Sequence, residues 1–237
     1  MTTLAVLSDL HANLSALRAV QADLARRNVE QVLVLGDLVG YLPRPNQVTQ
    51  AVARSGWPCV AGNYDLAVLA GGEQGVEDFL RPGIGPGPRA VFAWTEQRVW
   101  GETRDFLSKL PHEIELSTPA GSLVATHGSP EAVNHYVYPD HPEAELAAWL
   151  ERAGAAILCL GHTHMPFVRR VGGGLVVNPG SVGKAKDGDP RASYALIDLG
   201  VEPRAEIVRL EWDLAAEAQL LAEAGLEAGV DRLYQGR

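Results

Sequence analysis

Leu160-Gly161-His162-Thr163-His164 closes an apolar run with two imidazoles one residue apart, and the same ending recurs along the chain. Ser8-Asp9-Leu10-His11, Leu35-Gly36-Asp37, Ala61-Gly62-Asn63 and Thr126-His127-Gly128 likewise follow runs of Val, Leu, Ile or Ala. Each run is short enough to be a buried strand, so Asp9, His11, Asp37, Asn63, His127, His162 and His164 are expected at strand C-terminal ends. In α/β sheets that edge carries the site. Asp-x-His puts two side chains at alternate positions leaving a strand, from which both can point to one place. Four of the seven histidines in the chain fall in this set. Two carboxylates, one amide oxygen and four imidazoles exceed what one four- or five-coordinate ion takes, and they suit two divalent ions sharing a carboxylate.

Taken singly, the members have ordinary readings. An Asp after a strand serves as a helix cap or turn former, Asn63 after a Gly can supply a left-handed turn, and His127-Gly128 can be a capped loop. The recurrence is what these readings leave unexplained. Asp65 reads as a helix cap or as a residue behind the ligands rather than a ligand itself.

In order, Asp9-x-His11, Gly36-Asp37-x-x-Gly40, Gly62-Asn63-x-Asp65, His127-Gly128, Gly161-His162-x-His164 and then Asn178-Pro179-Gly180-Ser181 resemble the calcineurin-like metallophosphoesterases, in their small bacterial and archaeal phosphodiesterase-like branch. The resemblance runs over roughly residues 3–200, and it is the ordered set that carries it. It implies that Asp9, His11, Asp37 and His164 hold one ion, that Asp37, Asn63, His127 and His162 hold the other, and that Asp37 bridges them. Many relatives have a His directly after the motif Asn that helps protonate the leaving oxygen, and here that place is Tyr64. A phenol with an ordinary pKa near 10 stays protonated at neutral pH and can donate a hydrogen bond, but it matches general acid–base work poorly. Tyr64 is therefore expected beside Asp37 and Asn63 as a positioning group. His135, in Asn134-His135-Tyr136, is the nearest spare imidazole for substrate, with a structural or surface role as the competing reading.

Nothing between the motifs looks like an interdomain linker, so residues 1–237 read as one domain. A hydrophobic fraction of 46% with 21% charged residues is ordinary for a globular chain. No apolar run approaches the ~20 residues that span a bilayer. The start, Met1-Thr2-Thr3, enters a strand without a basic region and an apolar segment, so cytoplasmic location is expected rather than secretion or a membrane. Cys59 and Cys159, each in an apolar run, read as buried free thiols of a reducing compartment. A formal charge of −9 argues against extended nucleic-acid binding, which needs Lys and Arg along a phosphate track, and leaves a short nucleotide or small phosphoester as partner.

Leu4 to Leu7 is a strand, Asn13 caps a helix with Leu14, Leu17 and Leu24 on its apolar face, and Gln31 to Leu35 is the next strand. Gly40 to Asn46 is a rigid loop over the site edge in which Arg44 is a candidate phosphate contact, or else a solvated cation, before a helix over 47–54. Glycines and prolines over 71–88 predict a mobile loop without regular structure. A helical pattern over 89–110 offers Trp94, Trp100 and Phe106 for core packing, a pocket or self-association into a homo-oligomer. Hairpins are predicted at 114–125 and 167–177, with a helix over 143–152 and a strand over 156–160 between them, and a tight turn at 178–181 whose amides could face the metals. Strands at 194–198 and 205–210 and a helix over 213–227 complete the chain. Parallel strands first and hairpins later predict an α/β fold of two mixed sheets packed face to face with helices outside. This matches the four-layer αββα sandwich that the resemblance implies.

Two divalent ions ~3.5–4 Å apart lower the pKa of a water between them and clamp phosphoryl oxygens, so in-line attack on phosphorus is the expected chemistry. Imidazole, carboxylate and amide together suit Mn or Fe, with Zn, Ni or Co as further options. The expected function is hydrolysis of phosphodiesters or phosphomonoesters. A phosphoprotein phosphatase and a metal-dependent nucleotide-binding module with little turnover are the alternatives.

Overall fold

The computed structural model describes residues 2–80 and 83–237. Strand β1 (Thr3–Leu7) is buried from Leu4 onward and is followed by helix α1 (Leu14–Arg27), where the Asn13 side chain accepts the Ala16 amide at 2.9 Å. The chain continues through β2 (Gln31–Val34), α2 (Pro45–Ser55), α3 (Asn63–Ala70), α4 (Gly72–Gly75), α5 (Pro86–Arg98) and α6 (Gly101–Leu107). The second half contributes β3 (Glu113–Thr118), β4 (Gly121–Thr126), α7 (Glu143–Ala153), β5 (Ala155–Cys159), β6 (Phe167–Val171), β7 (Gly174–Asn178), β8 (Ala192–Asp198), β9 (Arg204–Leu210), α8 (Leu214–Glu223) and α9 (Val230–Tyr234).

These strands form two mixed sheets, a four-stranded one in the order β2-β1-β8-β9 and a five-stranded one in the order β3-β4-β5-β7-β6. Parallel pairs (β1 with β2, β4 with β5, β5 with β7) sit beside antiparallel ones, including both expected hairpins, β3–β4 and β6–β7. Alternation along each strand sets the layers. In β1, Ala5 and Leu7 join the core of α1 and α2, whereas Leu4 and Val6 meet Leu123, Ile157 and Val177 of the facing sheet. On the far side, Val124, Leu158 and Val176 pack against Leu146, Trp149 and Leu150 of α7. The result is helices, sheet, sheet and helix. Each fully buried Leu or Val in these layers contributes about 1.5–3 kcal/mol over its exposed state. Cys59 and Cys159 are buried free thiols.

Four expectations change. The 71–88 stretch is not a structureless loop: α4 runs into a π-helical turn over Val76–Leu80, and Pro86 sits in the first turn of α5, where its missing N–H removes no bond. Burial of Val76 and Leu80 and the fork of Arg89 on Glu73 at 2.6 Å override the local Gly and Pro content, while Arg81 and Pro82 lie outside the described residues. The single helix expected over 89–110 breaks at Val99 and Trp100. Buried Asn46 clamps that break, donating to the Arg98 carbonyl at 2.8 Å and accepting from the Trp100 amide at 2.9 Å and the Thr103 hydroxyl at 2.8 Å. The run before Asn63 makes only an isolated bridge from Cys59 to Val34, and the helix expected over 213–227 stops at Glu223, with Gly225 at φ 75° turning the chain toward α9. Among the described residues no helix is long and apolar enough to cross a membrane.

Candidate metal centre

The segments after β1, β2, β4 and β5 and the first turn of α3 meet at one edge of the two sheets. Asp9, His11, Asp37, His162 and His164 hold left-handed backbone angles, φ 54°, 43°, 54°, 66° and 59°. Such angles in non-glycine residues cost about 1 kcal/mol or more each and persist only where surroundings impose them. Here the loops impose them on each other: the Asp9 amide donates to Gly36 O (3.1 Å), His11 to Asp37 O (2.8 Å) and Gly161 to His127 O (2.7 Å). The expected alternation of Asp-x-His along an extended strand is therefore corrected, because both side chains converge through left-handed turns. Gly62 admits the approach, since a Cβ there would stand 2.1 Å from Asp37 Oδ1.

All seven expected ligands are buried and close together. Asp9 Oδ1 lies 3.2 Å from His164 Nε2 and 3.7 Å from His11 Nε2, and Asp37 Oδ2 lies 3.5 Å from both His11 Nε2 and His127 Nε2. Asn63 Oδ1 stands 3.0 Å from His127 Nε2 and 2.9 Å from His162 Nδ1. Two groups of ligand atoms lie within 4.8 Å of one another, Asp9–His11–His164 and Asp9–Asp37–His127. Asp9 is the member common to both groups, and Asp37 reaches the first only through His11, whereas the resemblance gives the shared place to Asp37.

Hydrogen bonding behind the ligands decides what the centre fits. His11 Nδ1 meets the Val39 carbonyl at 2.9 Å and His164 Nδ1 meets the Lys184 carbonyl, so each neutral ring keeps its proton on Nδ1. Their Nε2 lone pairs then face each other at 3.1 Å, beside Asp9 Oδ1, which, like His162 Nε2, has no hydrogen-bond partner among the described residues. Lone pairs and a carboxylate oxygen gathered in a buried site repel one another, and divalent cations fit that donor set. Asp65 fixes the framework, accepting the amides of Gly62, Asp37 and Leu38 at 2.9 Å and of Val39 at 3.3 Å. It is the expected cap behind the ligands.

Charge follows the same layout. Burial drives His11 and His162 down to about 3 and lowers His164, leaving neutral imidazoles. Burial also opposes charge on His127, but Asp37 and Asp9 outweigh it and carry that ring up to about 9. Asp9 and Asp37 are held below the ordinary carboxylate value, the surrounding imidazoles outweighing burial. Burial, then Tyr41, pushes the Tyr64 phenol well above its usual 10, so it remains a hydrogen-bond donor.

A cavity of about 170 Å³ opens on the centre, lined by Asp37, Asn63, Tyr64, His162, His164 and also Tyr41, Tyr136 and Lys186. Sequence reading missed the last three. No motif marks Lys186, which reaches the cavity only because the turn after β7 returns across β1. Two proposed substrate contacts are not brought to this cavity. Arg44 is engaged by Ser15 at 2.7 Å and by Glu217, whose carboxylate is fully buried. His135 hydrogen-bonds Ser129 at 3.0 Å and lies edge-on to His141 and Trp149. The 178–181 turn also differs from expectation: the Gly180 amide donates to Asn178 Oδ1 and Ser181 Oγ to the Asp9 carbonyl, so the turn braces the β1 loop.

Residues 2–201 match the calcineurin-like phosphoesterase superfamily domain. An uncharacterized protein of Methanocaldococcus jannaschii is 30% identical over 252 aligned positions, covering 99% of this chain and 98% of its own length. The crystal structure of a metallophosphoesterase from Sphaerobacter thermophilus is 30% identical with a TM-score of 0.83, covering 100% of this chain and 99% of that one. A hypothetical protein from Pyrococcus horikoshii, 23% identical, shares the fold with a TM-score of 0.88 over 100% of this chain and 99% of its own.

Proposed function

The chain belongs to the calcineurin-like phosphoesterase superfamily, a family of metal-dependent hydrolases, and from that premise we propose that it hydrolyses phosphodiesters or activated phosphomonoesters at a centre of two divalent ions, Mn or Fe. The observation that carries this reading is the pair of facing Nε2 lone pairs on His11 and His164 beside the orphaned Asp9 Oδ1. Asp9, His11, Asp37 and His164 would hold one ion and Asp37, Asn63, His127 and His162 the other. Bound ions would supply Lewis acidity toward the phosphoryl oxygens and a nucleophile at neutral pH.

The chain's own groups do the rest. Backbone carbonyls of Val39 and Lys184 fix the tautomers of His11 and His164, and the Leu35 carbonyl orients the His127 ring, which keeps all three Nε2 atoms on the centre. Tyr64, whose amide donates to Asp37 Oδ1 at 2.8 Å, orients that carboxylate and presents a protonated phenol to the cavity. Because a phenol of raised pKa protonates a departing alkoxide poorly, good leaving groups are favoured. A narrow cavity of about 170 Å³ supports a small ester over a folded phosphoprotein. Two buried free thiols support a reducing compartment, and we place the protein in the cytoplasm.

The test is hydrolysis of a bis-aryl phosphodiester by wild type, Asp37→Asn and His162→Ala at saturating metal. Each variant is expected to lose at least ~100-fold in kcat/KM, ligand loss exceeding the 10–100-fold of a lost supporting contact. Full activity in either variant sinks the assignment.

A further inference from the structure

Next to the metal-centre cavity lies a second one of about 250 Å³, and the two share Tyr41 and Pro88 in their walls. Its interior is apolar, made by Leu42, Val91, Leu221, Leu226 and Leu233, so the start of α5 forms one side and the C-terminal helices another. Tyr41 is the partition. Its backbone is left-handed at φ 59°, and its ring is pinned edge-on to His11 at 4.6 Å and against Tyr64 at 4.7 Å. Two lysines lie over that ring from a single short segment: Lys186 Nζ at 5.7 Å lines the metal-centre cavity, and Lys184 Nζ at 4.9 Å lines the apolar chamber. Among the described residues Lys186 makes no hydrogen bond or ion pair, so its ammonium is available to an anion in the metal-centre cavity. Lys184 donates to the Arg237 oxygen at 2.8 Å, and burial, then Lys186 and Arg232, carries its ammonium down to about 7, so it meets the chamber as a partly charged hydrogen-bond donor.

A cavity where Lys186 stands beside the metal ligands and an apolar chamber whose wall also carries Lys184, Arg232 and Glu227, separated by one aromatic side chain, match a ligand with an anionic and an apolar part. We propose that the substrate is a phosphoester bearing a flat aromatic group, its phosphoryl oxygens held beside Lys186 and its ring system lodged past Tyr41 and Pro88 in the chamber. This specificity rests on the phosphoesterase reading above, and it assigns the chamber a role that the metal ligands do not require. Lys186 is the anion contact that the sequence reading sought in Arg44.

The experiment is calorimetric titration of the metal-replete protein with 1-naphthylmethylphosphonate and with methylphosphonate, neither of which has a hydrolysable ester bond. Naphthylmethylphosphonate is expected to bind at least ~10-fold tighter, since only part of the buried ring area converts to affinity. Gly229→Leu fills the chamber from its wall. Gly229 has φ −84°, a Cβ there would stand 3.8 Å from the Leu221 methyls, and no backbone strain results. Ala90→Leu, at an exposed position of α5, fills it from the other side. Both substitutions are expected to reduce the preference below ~3-fold with methylphosphonate affinity unchanged, and Lys186→Met to weaken both probes by ~10-fold, as for a lost charged hydrogen bond. Equal affinity for the two probes, no measurable binding of the naphthyl probe, a preference that survives both filling variants, or unaltered binding in Lys186→Met overturns the proposal. Bis-aryl diester hydrolysis measured in parallel separates the two claims: activity without the binding preference removes only the chamber, and the preference without activity upholds the chamber against the hydrolase reading.

Discussion

Arg44 shows how far a residue's chemistry can be read without its neighbours. A guanidinium in a loop beside the site motifs suits phosphate, yet its partner is Glu217, 173 residues later, whose fully buried carboxylate must be paired. Arg44→Met is therefore expected to lower stability by about 3 kcal/mol, the cost of leaving a buried charge alone, with KM for a phosphodiester unchanged within ~2-fold. Urea unfolding and steady-state kinetics check this, and a large KM rise at unchanged stability would return Arg44 to the substrate. The seven candidate ligands that the fold gathers were legible because metal coordination restricts residue type and the motifs fix the spacing. Lys186 and Tyr41 were not, since a lysine or tyrosine has no type-specific signature and only the fold brings them to the centre.

Most strands and both hairpins were legible at the element scale, where apolar runs ended at Gly, Pro or ligand residues, as was α2; the strand expected before Asn63 and the helical stretch from Gly71 to Leu107 were not read as they stand. The geometry of that stretch depends on Asn46, a side chain far from the break it clamps. Asn46→Ala removes three hydrogen bonds and leaves the Trp100 amide without this partner, which is expected to cost about 2–4 kcal/mol by urea unfolding. A change below ~0.5 kcal/mol, the range of an ordinary surface substitution, would mean that the break holds itself. Asp23 ties α1 to β8 in the same way. Burial opposes its ionisation, but the Tyr194 hydroxyl, Arg27 and Arg26 outweigh it and hold the carboxyl below its ordinary value. A depressed native pKa adds stability that is present above the unfolded value of ~3.9 and lost as pH falls through the native one. The penalty of Asp23→Asn should be largest near pH 6 and shrink progressively below pH 4. An equal penalty at pH 6 and pH 3 would contradict that linkage.

Across the whole molecule, Asp9 and Asp37 leave the four-stranded sheet while His127 and His162 leave the five-stranded one, so the centre lies where the two sheets present their ends to the same side. The sandwich was legible because parallel strands first and hairpins later predict two mixed sheets face to face, in agreement with the resemblance, whereas the insertion of β8 beside β1 and of β7 beside β5 was not. The apolar chamber was not, because its walls come from the start of α5 and the C-terminal helices, segments whose sequences carry no shared motif. Dense left-handed backbone and facing lone pairs at one edge make sense together if cations complete the centre. The most direct test is metal content of protein purified without chelators, paired with bis-aryl phosphodiester hydrolysis by stripped protein given Mn, Ni, Zn or Mg. Two equivalents of metal, with activity abolished by stripping and restored by one of these ions, is the predicted result. Less than one equivalent after full reconstitution would contradict the dinuclear centre on which the account rests.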